Sequence, residues 1–409
     1  MVNEYFSLHS YGGTLEYYLF ELANFSALAF FAMFLYKLNY INSNSLLAWL
    51  AIFFAPLVFN YFLFSPFLFG DQFRYAAEVM LQKSSGGSLA NLGGSGAIDI
   101  FDNGGETDAI PLTAKILGVT PLPNYMTVTS LAFANMFFLF VTFLWFKRFF
   151  SNENEVLLYF LIPSLILYSS ISLRDLLIIV ISILFIINLI RNRYIFAAVF
   201  LYPLFFLKIQ MFAFLLLYVI ARLFFRAHKN YYLFTFFVLG VMIGGVIMEE
   251  QILEVLNLYR IAFAAENFVA FDGSISYLAW NVYGGDLAEA LELSSLGDAI
   301  SIAILKLPIF FIMPLPWNWS NIFYPLQSFE SWLLIYLYVR LAMKQNLYKN
   351  SEFILLTFIL LIGSSIYALL MENEGTFVRY RFSLFYPFLL AAFYLSSASP
   401  SASHKFLKK

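Results

Sequence analysis

Apolar blocks of roughly fifteen to twenty-five residues, separated by short polar punctuation, recur along almost the whole chain and leave it few folds to adopt. A hydrocarbon layer contains no water to satisfy backbone N–H and C=O groups, so a segment that crosses it closes its own hydrogen bonds as a helix of about 20 residues. Of the 409 residues, 62% are hydrophobic and only 12% charged, a balance that excludes an ordinary soluble domain. The expected fold is therefore all-α: a polytopic integral membrane protein with about 11 transmembrane helices, a re-entrant or interfacial segment and two large outer loops. No cysteine is present, which excludes disulfides and thiolate metal sites. Met1–Gly13 lacks a basic start, so no cleavable leader is expected, and the first apolar run is long enough to stay in a membrane.

The spans fall at Thr14–Tyr36, Leu46–Phe69, Tyr125–Phe146, Val156–Ile171, Leu173–Ile190, Tyr194–Leu207, Ile209–Phe225, Tyr231–Met248, Gln327–Leu341, Phe353–Met371 and Phe382–Ser396. Lys37, Lys147/Arg148, Arg191/Arg193, Arg222/Arg226/Lys229, Arg340/Lys344/Lys349 and the tail Lys405/Lys408/Lys409 then lie in alternate loops, which the positive-inside bias puts in the cytoplasm. The N-terminus is expected outside and the C-terminus, with the polar tail 397–409, inside. Residues 1–409 form a single membrane domain, with a first outer loop at 70–124 and a second at 249–300. Counting Ser301–Pro316 as a span would turn Arg340, Lys344 and Lys349 outward, so its Pro308, Pro314, Pro316 and Lys306 are read as a re-entrant or interfacial piece. Around Lys208-Ile209-Gln210 a short hairpin is expected, because one merged helix would bury a lysine at mid-membrane.

The first outer loop contains Ser84-Ser85-Gly86-Gly87-Ser88 and Gly93-Gly94-Ser95-Gly96, with no Gly-Lys-Ser/Thr to make a phosphate-cradling loop. The second opens on an apolar-periodic stretch, Ile252–Val269, expected as a helix lying on the membrane, and continues through Asp272, Tyr277, Trp280 and Asp286.

Charged residues then cluster at the outer ends of helices. Asp71, Arg74, Tyr75 and Glu78 share one face if the helix after Phe69 continues, at i, i+3, i+4 and i+7. Two readings are open: a solvated cap with an i,i+3 ion pair, or a general base beside a phosphate or sugar clamp. Arg174 and Asp175 sit in a tight turn between two apolar spans, where an ionisable group is costly; a helix cap with snorkelling is the plainer account and a functional site the sharper one. Lys208, with Gln210 beside it, and Arg379 and Arg381 complete a set of outward cations. Their position runs against the positive-inside bias, so each requires a carboxylate or a bound phosphate. His9, His228 and His404 are far apart, which argues against a histidine metal site or a Ser-His-Asp triad; no metal or cofactor is expected. Glu21 with Asn24 reads as a polar contact between helices.

Gly70-Asp71-Gln72-Phe73-Arg74-Tyr75 resembles the Gly-Asp-x-x-x-Tyr pattern of bacterial surface polysaccharide polymerases of the Wzy and EpsG kinds. Ser172-Leu173-Arg174-Asp175 resembles their Ser-x-Arg hairpin, and Arg379-Tyr380-Arg381 is similar to the start of a late helix in GT-C membrane glycosyltransferases. The chain departs from the GT-C pattern in having no Asp-Asp or Glu-Asp pair in the first outer loop. The resemblance implies glycosyl transfer between polyprenyl-diphosphate-linked glycans on the outer leaflet of the bacterial inner membrane, beside a flippase and a chain-length regulator as partners. Asp71, Arg174 and Asp175 would then be catalytic, and Arg74, Tyr75, Lys208, Gln210, Asp272, Arg379, Tyr380 and Arg381 would bind substrate. Transfer of a single sugar from a polyprenyl-phosphate donor is the alternative within the class, and a lipid-linked oligosaccharide flippase the alternative outside it.

Overall fold

The computed structural model describes residues 15–63, 75, 79, 106–123, 127, 129–228, 240, 246–269, 292–316, 323–344, 346–371 and 374–397. Among these every regular element is helical and no strand occurs. Contacts divide the chain into two units, Met1–Phe212 with Ser397–Lys409, and Ala213–Ser396. Among the described residues three helices are long and apolar enough to cross a membrane, at Tyr18–Lys37, Ser130–Phe149 and Ser351–Leu370, and shorter apolar helices accompany them. Such helices suggest membrane association.

The first unit contains α1 (Leu15–Lys37), α2 (Ser43–Val58), α3 (Glu106–Gly118), α4 (Ser130–Phe146), α5 (Glu153–Phe160), α6 (Pro163–Ser169), α7 (Asp175–Ile190) and α8 (Tyr194–Leu207). Several expected boundaries change for local reasons. Val156–Ile171, expected as one span, is two short helices. Ile162 takes an extended conformation (φ −62°, ψ 127°) because the ring of Pro163 disfavours the helical region for the residue before it, and Pro163 then opens α6. At 8 and 7 residues, α5 and α6 are each only about 10–12 Å long, short of a bilayer core. Helix α2 continues past Pro56 into a π-helical turn, Phe59–Leu63. A helix also lies inside the expected first outer loop: α3 buries Ala109, Thr113, Ala114 and Leu117, a helical spacing that Pro111 obscures in the sequence.

The core of this unit is aromatic. Trp49 and Phe53 of α2 meet Phe140 of α4 at ring-centroid distances of 4.8 and 5.4 Å. Helix α7 is buried almost all round, as a helix apolar on every face must be, whereas α8 exposes Ile195, Phe196, Val199 and Tyr202. An apolar outer surface of that kind suits lipid. At one end of the unit, three connections converge. The Lys147 ammonium donates to the Tyr40 carbonyl and pairs with Glu153 at 2.9 Å, Arg148 donates to the Tyr40 hydroxyl, and Arg191 lies over the Phe149 ring. Helices α1 and α7 both finish there with an asparagine in the left-handed region, Asn39 (φ 57°) and Asn192 (φ 61°). After Asn192, the Arg193 N–H reaches back to the Asn188 carbonyl at 2.9 Å, which closes the end of α7 and turns the chain into α8.

The second unit carries most of α9 (Ile209–His228), then α10 (Glu249–Val269), α11 (Leu296–Ile312), α12 (Phe323–Lys344), α13 (Ser351–Leu370) and α14 (Glu374–Ser397). The expected break at Lys208 is present. Lys208 is extended (φ −162°, ψ 93°) between α8 and α9. Helix α10 begins three residues before the expected Ile252 and is tied to the next segment by Asn257, whose carboxamide bonds the backbone of Leu293 from both its ends. Helix α11 is capped by Ser295 and its first-turn Asp298, whose carboxyl is held below the ordinary range by the hydroxyls of Ser294 and Ser295. The Arg222 guanidinium donates to both carboxylate oxygens of Glu352 at 2.8 and 3.0 Å, and the Tyr218 hydroxyl joins at 3.0 Å. That pair brings the last turns of α9 and the start of α13 together.

Helix α14 is the buried centre of this unit, with Arg381 to Phe393 covered throughout. Gly363 of α13 allows it close approach: a Cβ there would stand 3.1 Å from Leu384 and 3.3 Å from Phe214. Gly363→Val is expected to cost roughly 1–3 kcal/mol by overpacking. A drop in the unfolding temperature of the detergent-solubilised protein would show it, and an unchanged temperature would mean that the contact yields without strain.

Candidate functional site

A cluster of buried polar residues in the first unit lies at the turn from α6 to α7. Ser169, Ser170 and Ser172 are fully buried and Asp175 is 3% exposed. Serines suit such a place because their hydroxyls return to nearby carbonyls: those of Ser169 and Ser170 both donate to the Ile166 carbonyl, at 2.9 and 2.6 Å. The turn is tightened by a bond from the Leu173 N–H to the Ile171 carbonyl at 2.8 Å, and α7 begins when Ile178 N–H reaches the Arg174 carbonyl at 3.1 Å.

Two asparagines from other helices also donate to carbonyls of the turn. Asn60, in the π-helical turn, donates to the Ser170 carbonyl and to its own Pro56 carbonyl, each at 2.8 Å. Asn135, in α4, donates to the carbonyls of Ile171 at 2.8 Å and Leu173 at 3.0 Å. A buried carbonyl without a partner costs about 1–3 kcal/mol, so the two carboxamides make an irregular turn tolerable inside an apolar bundle. The π turn has a role here as well: its wide winding loosens the ladder near Pro56 and places a side chain where a regular helix would not.

Arg174 is presented by this turn. It is half-buried, and its side chain makes no hydrogen bond or ion pair among the described residues. Asp175, in the first turn of α7, sits at the positive end of the helix dipole, which favours a carboxylate. Lys208 joins them by topology. Helix α7 (16 residues) runs away from the turn and α8 (14 residues) returns antiparallel, about 24 and 21 Å long, so the end of α8 comes back to the end where α7 began. Lys208 is 8% exposed there and Gln210 is half-buried in the first turn of α9.

The other expected site residues are placed differently. Asp71, Arg74 and Asp272 lie outside the described residues. Tyr75 is helical and buried, which suits a packing role better than an exposed sugar platform. In the second unit, Arg379 and Tyr380 are half-buried, and Tyr380 packs edge-on against Tyr367 at 5.2 Å. These residues do not open the last helix, which begins at Glu374, more than one turn earlier. Arg381 has an internal occupation. One guanidinium nitrogen donates to the carbonyls of Phe310, Phe311 and Met313, at 3.0, 3.2 and 2.6 Å, and the other donates to the Ser331 hydroxyl. It thereby caps the carbonyl end of α11, where the dipole is negative and carbonyls lack helical partners. A buried guanidinium with this many protein acceptors is a structural fastener, and Arg381 is removed from the substrate-binding set on that ground.

Sequence reasoning missed Asn60 and Asn135. The signal was present: each is a lone carboxamide within a long apolar run, and an intramembrane polar residue seeks a partner on a neighbouring helix. Among the described residues no group of three His, Cys, Asp or Glu stands close enough to hold a metal ion.

Fold and site together define, among the described residues, an all-helical protein with three helices long and apolar enough to cross a membrane and a clamped polar turn carrying a half-buried arginine. No family model, no curated protein and no solved structure matches the chain.

Proposed function

We propose that this chain is a membrane glycosyltransferase of the polymerase kind, joining polyprenyl-diphosphate-linked oligosaccharide repeat units into surface polysaccharide on the outer leaflet. The observation that supports this best is Arg174: a guanidinium at the end of a buried turn, beside Asp175 and at the same end as Lys208, with no partner among the described residues. A planar guanidinium matches two phosphate oxygens at once, which is what a diphosphate leaving group offers. In the reaction, a carboxylate takes the proton of an acceptor sugar hydroxyl, whose oxygen attacks the anomeric carbon of the lipid-linked glycan. The bond from that carbon to the diphosphate breaks, the diphosphate leaves with the electron pair, and Arg174 and Lys208 meet its developing charge. Asp71 is the proposed base. Loops bearing Lys147, Arg148 and Arg191, gathered at one end of the first unit, belong to the cytoplasmic side in this reading, and the turn at Arg174 to the outer side.

Arg174→Lys tests it. Lysine keeps the charge but loses the two-pronged donor, so surface glycan is expected to shrink from a long ladder on a gel to single repeat units. A normal ladder from the lysine variant at equal protein abundance would reduce Arg174 to an interfacial anchor and remove the support for the reading.

A further inference from the structure

The turn that carries Arg174 is held from outside its own helices, and that arrangement has a consequence for how the arginine is presented. We propose that Asn60 and Asn135 are positioning residues for Arg174, acting through the backbone of the Ser170–Arg174 turn. The phosphate role this serves rests on the reading of Arg174 given above; the clamp itself rests on geometry alone.

Asn135 is fully buried, and its amide nitrogen bonds the carbonyls of Ile171 and Leu173, the latter immediately before Arg174. The orientation of its carboxamide is forced, since the reverse would set its oxygen against both carbonyl oxygens. Its Oδ1 has no partner among the described residues, so this side chain gives up one hydrogen bond in order to hold the turn with the other end. Asn60 holds the Ser170 carbonyl from a second helix, and its other bond, to Pro56, fixes the carboxamide in place. A turn tied at residues 170, 171 and 173 leaves the chain direction at residue 174 little freedom. A long side chain then starts from a fixed depth, which is what preorganised charge stabilisation requires. Helix capping alone would not need two separate helices to contribute.

The chain has no native cysteine, so Arg174→Cys introduces a single thiol. In the full-length protein in detergent, its rate of modification by a charged methanethiosulfonate reports how often the turn opens to water. Adding Asn135→Leu or Asn60→Leu is expected to raise that rate about tenfold, because buried carbonyls then lose their donors and the open form gains. Each asparagine removes one side of the clamp independently, so one folded variant suffices. Asn188→Leu is the matched control: Asn188 is a buried carboxamide at the far end of α7 that bonds only its own helix, at the Leu184 carbonyl, and its loss is expected to leave the rate unchanged. An unchanged rate in the Asn60 and Asn135 variants, or an equal rise in the Asn188 control, would overturn the proposal. The glycan ladder of cells carrying Asn135→Leu with native Arg174 separates the two claims. A collapsed ladder with faster labelling supports both; a normal ladder with faster labelling keeps the clamp and overturns the phosphate role.

Discussion

Asp71→Asn is expected to lower glycosyl transfer by roughly 10²–10⁴-fold, the range that a general base contributes, while protein abundance stays constant. Asparagine keeps the size and most of the hydrogen bonding of aspartate but cannot accept a proton. Asp71 lies outside the described residues, so its role stands on its place in the Gly-Asp-x-x-x-Tyr pattern and on the chemistry the proposed reaction needs. Lipid-linked substrate should still bind, because Arg174 and Lys208 are untouched. Cells would then accumulate single lipid-linked repeat units accessible to glycosidase from outside. A flippase gives a different result: repeats trapped on the inner leaflet, protected from the same glycosidase. If Asp71 only caps a helix or pairs with Arg74, the loss is about 1 kcal/mol of local stability and long-chain glycan persists. That last result would remove Asp71 from the mechanism and make Asp175 the next base to test.

Arg381→Met is expected to destabilise the second unit by roughly 3 kcal/mol. Methionine matches the apolar stem of arginine but leaves the carbonyls of Phe310 and Phe311 without the guanidinium at the end of α11, and the Met313 carbonyl with only the Ser331 hydroxyl at 3.2 Å. The Ser331 hydroxyl keeps its bond to the Gln327 carbonyl at 2.6 Å and so cannot replace the guanidinium at all three oxygens. The measurement is the unfolding temperature of the purified protein together with its abundance in membranes. Equal abundance and stability for Arg381→Met, with polymer lost, would return Arg381 to the substrate site.

The sequence by itself determined the helical class, the ends of several helices and the break at Lys208. Those features are local. An apolar run must close its own backbone hydrogen bonds, Pro163 restricts only the residue beside it, and the asparagines at 39 and 192 end helices by their own backbone freedom. Even the polar serines before Arg174 were legible, because they stand together in the chain. What the tertiary structure decided is which polar groups meet. Asn60 reaches a carbonyl 110 residues away, Asn135 reaches two that are 36 and 38 residues away, and Arg381 finds carbonyls 68 to 71 residues before it. No spacing rule encodes such meetings. In an apolar interior each donor and acceptor must find some partner, and which one it finds depends on how the helices pack. That is why Arg174 and Arg381, alike in the sequence as outward cations, differ in the structure: one is offered at a clamped turn, and the other is consumed by the end of a helix.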